Sequence, residues 1–96
     1  MKRIAKRDTG NFAVELFDDG EEFVFHIVFH GAWGSDAVAV VHDEVFNTRV
    51  SEAATANTDK AYRDAAKKLL KLYTVGDLDV QELLLRNHFD EFGNPR

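Results

Sequence analysis

Apolar and polar residues alternate with period two over 11–17, Asn-Phe-Ala-Val-Glu-Leu-Phe, and again over 22–30, Glu-Phe-Val-Phe-His-Ile-Val-Phe-His. That spacing predicts two half-buried strands. Between them Asp18-Asp19-Gly20-Glu21 contains Asp-Gly, which suits a tight turn because glycine accepts positive φ. The two runs therefore predict a β-hairpin over 11–30. A two-residue Asp19-Gly20 loop would oppose Asp18 with Glu21, Leu16 with Phe23, Val14 with Phe25 and Phe12 with Ile27, so that the three apolar pairs share one face.

The second run is apolar on both sides. Val24, His26, Val28 and His30 stand opposite the phenylalanines, as expected of a central strand or of one that meets a partner on its second face. Residues 31–36 read as a loop in which Gly31 and Gly34 flank Trp33, and 37–46 as a further strand whose Val40-Val41 pair marks a bulge or a strand end. Residues 2–6 suit an edge strand, their lysines and arginines guarding it against pairing with another molecule. Residues 47–57 show no strong period and are expected to form a connecting loop, with a short strand around Val50.

The period then changes. From 58 to 75 the apolar positions Ala61, Tyr62, Ala65, Ala66, Leu69, Leu70 and Tyr73 form one helical stripe that Gly76 ends. Asp59 with Arg63 and Asp64 with Lys68 stand in the favourable acid-first i,i+4 order. Asp79 with Glu82 makes a capping box, and Leu78 with Leu83 a hydrophobic staple, for a second helix over about 79–90 with Val80, Leu83, Leu84 and Phe89 on one side. The alanines of the first helix permit close approach to a sheet face made of Phe23, Phe25, Ile27 and Phe29. The expected fold is an α+β two-layer sandwich: a three- to four-stranded antiparallel sheet (hairpin 11–30, further strand 37–46) followed by two C-terminal helices, 58–75 and 79–90.

A chain of 96 residues holds one core, so residues 1–96 form a single domain. Without cysteine there is neither a disulfide framework, nor a thiolate metal site, nor a cysteine nucleophile. No apolar run approaches the ~20 residues that cross a bilayer, and Met1 to Arg7 has the charges of a signal peptide without its apolar stretch. The expected compartment is the cytoplasm, or the host cytoplasm for a phage-encoded protein, with no membrane partner.

The net charge of -5 conceals alternating blocks: residues 1–7 carry +4, residues 8–52 carry -9, residues 53–76 carry +3 and residues 77–96 carry -3. In the acidic block Arg49 is the only lysine or arginine, which disfavours a grip on phosphates there and favours a basic partner or water.

Candidate chemistry is sparse. His26, His30 and the run His42-Asp43-Glu44 offer imidazoles and carboxylates of the kind zinc takes. Histidines four apart on a strand, however, are separated by ~13 Å, too far to share one ion without a bulge. No metal and no cofactor are expected. His42 could act with Glu44 on the same strand face as an acid-base pair, but Gly-x-Ser-x-Gly, Walker and dinucleotide motifs are all absent and a small two-layer domain has little room for a pocket. A non-enzymatic role is expected.

Three roles fit. The first is a small acidic protein-binding module, a regulator or inhibitor of phage type, acting on a larger basic or nucleic-acid-binding protein. Its contacts would come from the acidic hairpin residues Asp18, Asp19, Glu21 and Glu22 and from the sheet-face residues His26 and His30. Trp33 belongs to this set either as a partner anchor or as a lid folded back on the core. The second is a nucleic-acid-binding domain using Lys60, Arg63, Lys67, Lys68 and Lys71 of the first helix. The third is a homo-oligomeric structural component, a homo-dimer for instance, joined through a strand edge or the His26/His30 face.

Overall fold

The computed structural model describes residues 1–8, 10, 12–31, 37–75 and 80–88. It is the expected α+β arrangement. Strands β1 (Lys2–Asp8), β2 (Phe12–Asp18), β3 (Phe23–Phe29) and β4 (Ala37–Val41) form an antiparallel sheet in the order β1-β2-β3-β4. Helices α1 (Glu44–Ala53), α2 (Asp59–Val75) and α3 (Val80–His88) follow. Val14, Leu16, Phe23, Phe25, Ile27 and Val41 are buried on one sheet face against Phe46, Val50, Ala65, Ala66, Leu70, Val80 and Leu83 of the helices. No described helix is long and apolar enough to cross a membrane.

The hairpin forms, but with a longer loop than expected. Phe12 pairs with Phe29, Val14 with Ile27, Leu16 with Phe25 and Asp18 with Phe23, leaving Asp19 to Glu22 as the loop. Carboxylates explain the difference. The Asp18 side chain accepts from the Gly20 amide, and that of Asp19 from the amides of Glu21 and Glu22, at 2.9, 2.9 and 2.7 Å. The amide that would have opened a tighter ladder at Glu21 is thus satisfied inside the loop. Gly20 has φ +96°, the left-handed conformation that glycine takes without steric penalty. The slip is two residues, so every side chain keeps its face and the apolar set still points at the helices.

The second correction is larger. The strand expected over 37–46 ends at Val41, and the loop expected over 47–57 is replaced over most of its length by helix α1. Asp43, extended at φ -102° and ψ 110°, is the N-cap of α1, and its side chain accepts from the Phe46 amide. Phe46, Val50 and Ala54 follow at intervals of one turn, and all three meet the core. The signal was present but short, and Val45, Thr48 and Val50 are β-branched residues that weaken a helical reading. Phe46 lies edge-on to Phe25 with ring centroids 4.6 Å apart, and to Phe23 at 6.5 Å. The unforeseen α1 therefore covers the Phe23 and Phe25 end of β3. Helix α2 packs against β1, β2 and α1, with Ala65 and Ala66 buried at its contact face.

Strand β1 is the edge strand anticipated from its lysines and arginines, with a bulge between Arg3 and Ala5. The acid-first pairs of α2 do not close: among the described residues neither Asp59 with Arg63 nor Asp64 with Lys68 forms an ion pair. Gly76, Leu78, Asp79 and Phe89, the expected signals around the last helix, lie outside the described residues.

Candidate functional site

The hairpin loop brings its acids to a concave surface. Asp18, Glu21 and Glu22 line a cleft of about 410 Å³, closed on the helical side by Asn47, Val50 and Ser51 of α1 and by Asp59 and Tyr62 of α2, with Phe23 also in the lining. Four acidic residues thus line one largely polar cleft, in which Phe23, Val50 and Tyr62 are the apolar members. The Asp19 carboxylate turns into the loop, where the amides of Glu22 and Glu21 hold its pKa below the usual carboxylate value of 3.8. Asp18 also accepts inside the loop, from the Gly20 amide, and Glu22 is held by His42.

Asn47 fixes the cleft geometry. Its side-chain amide donates to the Phe23 carbonyl at 3.0 Å, and its carbonyl oxygen accepts from the Phe23 amide at 2.8 Å, as a neighbouring strand would. The same amide nitrogen donates to the Asp43 carbonyl at 3.0 Å, so one side chain joins the base of the hairpin to the start of α1. Ser51 donates to the Asn47 carbonyl, and the Tyr62 hydroxyl is hydrogen-bonded to Asn57. Asn47, Ser51, Asp59 and Tyr62 were not recognisable as cleft residues in the sequence. Without α1 nothing placed residues 47, 51, 59 or 62 beside residue 18.

His42 and Asp43 stand at the other side of the loop. His42 Nδ1 lies 2.5 Å from Glu22 Oε1 and ties the loop to the end of β4. The expected acid-base pairing of His42 with Glu44 is not formed, because Glu44 begins a helix instead of continuing the strand. Asp43 is 2% exposed. Its oxygens accept from Arg86 Nε and Nη2 at 2.8 and 2.9 Å, from Asn87 Nδ2 at 2.5 Å and from the Phe46 amide at 2.7 Å. Burial alone would raise the Asp43 pKa, but Arg86, Asn87 and the Phe46 amide outweigh it and hold the carboxyl below 3.8. Asp43 is thus fully engaged in joining α1 to α3.

The remaining expected contacts are dispersed. His26 lies against Phe17, ring centroids 4.3 Å apart, on the sheet face opposite the described helices, where Val38 and Val40 of β4 are 57% and 48% exposed while Ala13 and Val24 are buried. His30 lies beyond the end of β3, with Nε2 3.3 Å from Asp8 Oδ2. Hydrogen bonding from the Gly10 amide, with the nearby His30, holds the Asp8 pKa below its usual value. His26 and His30 therefore engage different partners. Trp33 lies outside the described residues. No group of three or more described histidines and carboxylates is placed to hold a metal ion.

At about 100° per residue the bases of α2 fall on one stripe opposite its buried face, with Asp64 inside that stripe. Ala61, Asp64, Ala65, Lys68 and Leu69 line a small cleft with Ala53 and Thr55, so Lys68 stands at the side of the stripe toward α1 and Lys60, Arg63, Lys67 and Lys71 farther from it. Comparison with protein-family models, with curated proteins and with solved structures finds no match for this chain, so the geometry of these sites alone bears on its function.

Proposed function

We propose that the chain is a small acidic, non-catalytic protein-binding module, a regulator or inhibitor of the kind phages encode, that docks on a larger basic or nucleic-acid-binding protein. The observation that carries this reading is the cleft in which Asp18, Glu21, Glu22 and Asp59 meet beside Phe23 and Tyr62. Such a cleft suits a protruding lysine or arginine: Phe23, Val50 and Tyr62 take the alkyl stem and carboxylates take the charged head. The sheet face opposite the described helices, with Phe17, Val38 and Val40, would extend the contact with apolar area.

The test is affinity capture from nuclease-treated cytoplasmic extract, with the wild type and a Glu21→Lys/Glu22→Lys variant as baits. The expected result is a basic protein held by the wild type, released by salt and absent from the variant eluate. Equal retention of the same protein by both baits would discard the cleft as the docking site. Circular dichroism establishes that the variant is folded.

A further inference from the structure

We infer that the outer flank of α2, together with the adjoining part of the β1 edge, is a landing surface for the phosphate backbone of duplex nucleic acid. Two basic blocks far apart in sequence, residues 1–7 and 53–76, are brought together because α2 packs on β1 and β2. With α1 on one side of α2, the flank bearing Lys60, Arg63, Lys67 and Lys71 overhangs the β1 edge. Arg7 pairs with Val14, a core residue, and so lies on the helix-covered side of β1, beneath that flank; Lys6 beside it is exposed.

Both elements also run the same way. β1 starts at the hairpin end, with Lys2 opposite Asp18, and α2 starts there too, with Asp59 and Tyr62 in the acidic cleft. Arg7, Lys67 and Lys71 consequently gather at the end away from the cleft, while Lys2 and Arg3 stand at the hairpin end. Lys6, opposite Glu15, lies on the other sheet face. Asp8, Asp59 and Asp64 are the nearby acids. Asp8 is held by Gly10 and His30, and Asp64 lies toward α1.

Lys6, Arg7, Lys60, Arg63 and Lys67 form no ion pair among the described residues. A polyanion would relieve the repulsion among the bases of the helical row. From Lys60 to Lys71 the helical row spans ~16 Å, long enough to follow several phosphates, and Arg7 of β1 lies on the same side of the sheet. No aromatic ring is described on this band, whereas single strands are gripped largely by stacking, so a duplex fits better than a single strand.

The test measures fluorescence anisotropy of labelled duplexes of ~20 bp, DNA and RNA, and of the matching single strands, at about 50 and 200 mM salt. Wild type is expected to bind duplex at low salt with a steep salt dependence. Arg63→Glu/Lys67→Glu is expected to weaken binding at least ~10-fold and to lower the salt slope by about 2, one per phosphate contact. The charge-matched control Lys2→Glu/Arg49→Glu, at the hairpin end of β1 and on α1, is expected to lose no more than ~2-fold. Equal loss in both variants, tighter binding to the single strand, or absence of duplex binding by folded wild type would overturn the proposal. Salt-sensitive self-association without duplex, abolished by Arg63→Glu/Lys67→Glu, would do so too, by assigning the band to the acidic cleft of a second copy. The proposal is independent of the acidic cleft, since Glu21→Lys/Glu22→Lys should leave duplex binding intact.

Discussion

Asp19 and Asp43 use the same local chemistry in different surroundings. Each carboxylate accepts from backbone amides two or three residues further on, Asp19 to close the hairpin loop and Asp43 to start α1. Asp19 does so in water, where the exchange of protein for solvent hydrogen bonds leaves a small net gain. Asp43 does so at 2% exposure with Arg86 and Asn87 around it, so removing the carboxylate would take from the partly buried Arg86 guanidinium its hydrogen bonds of 2.8 and 2.9 Å. A capping aspartate therefore marks an element boundary, while its weight in the fold depends on what arrives from elsewhere in the chain. Here Arg86 arrives from 43 residues away.

The comparison breaks most readily at Asp43. Asp43→Ala removes the α1 cap and the carboxylate that Arg86 Nε and Nη2 donate to, and is expected to destabilise the domain by about 3 kcal/mol, read from urea midpoints. The same position governs the acid limb. Because the folded Asp43 pKa is below 3.8, its stabilisation is complete above that value and lost as pH falls through the lower folded value. Asp43→Asn should therefore be less stable than wild type near neutrality and converge with it toward about pH 2. A gap unchanged over that range would mean that Asp43 does not titrate as the pair requires.

Asn47 joins the two regions through Phe23 and the Asp43 carbonyl. Asn47→Ala is expected to cost about 2 kcal/mol and to raise amide exchange at Phe23. The smallest effect is expected at the exposed loop. Asp19→Ala should lower the melting temperature less than any of these, with its amide-exchange changes confined to Glu21 and Glu22. An effect as large as that of Asp43→Ala would show that the loop carries tertiary weight after all.

Much of the sheet was legible in the sequence, because a strand with one covered face writes its pattern locally. The phenylalanines of 23–29 and the alternation of 12–17 located β2 and β3, and even the mistaken register kept every side chain on its face, since the error was an even number of residues. Helix α2 was equally plain from its stripe. Helix α1 was not, because its one-turn repeat rests on Phe46, Val50 and Ala54 alone, among residues of weak helical propensity.

The candidate sites divide along the same line. The acids of the hairpin and the bases of α2 could be named from the sequence, as could their block charges. Only the tertiary structure turned Asp19 inward, set Asp59 and Tyr62 across from Asp18 and placed Arg7 on the same side of the sheet as the bases of α2. The physical reason is range. Periodicity and turn chemistry act over a few residues, whereas these juxtapositions depend on where α1 seats Phe46 against Phe25 and on which strands α2 then covers.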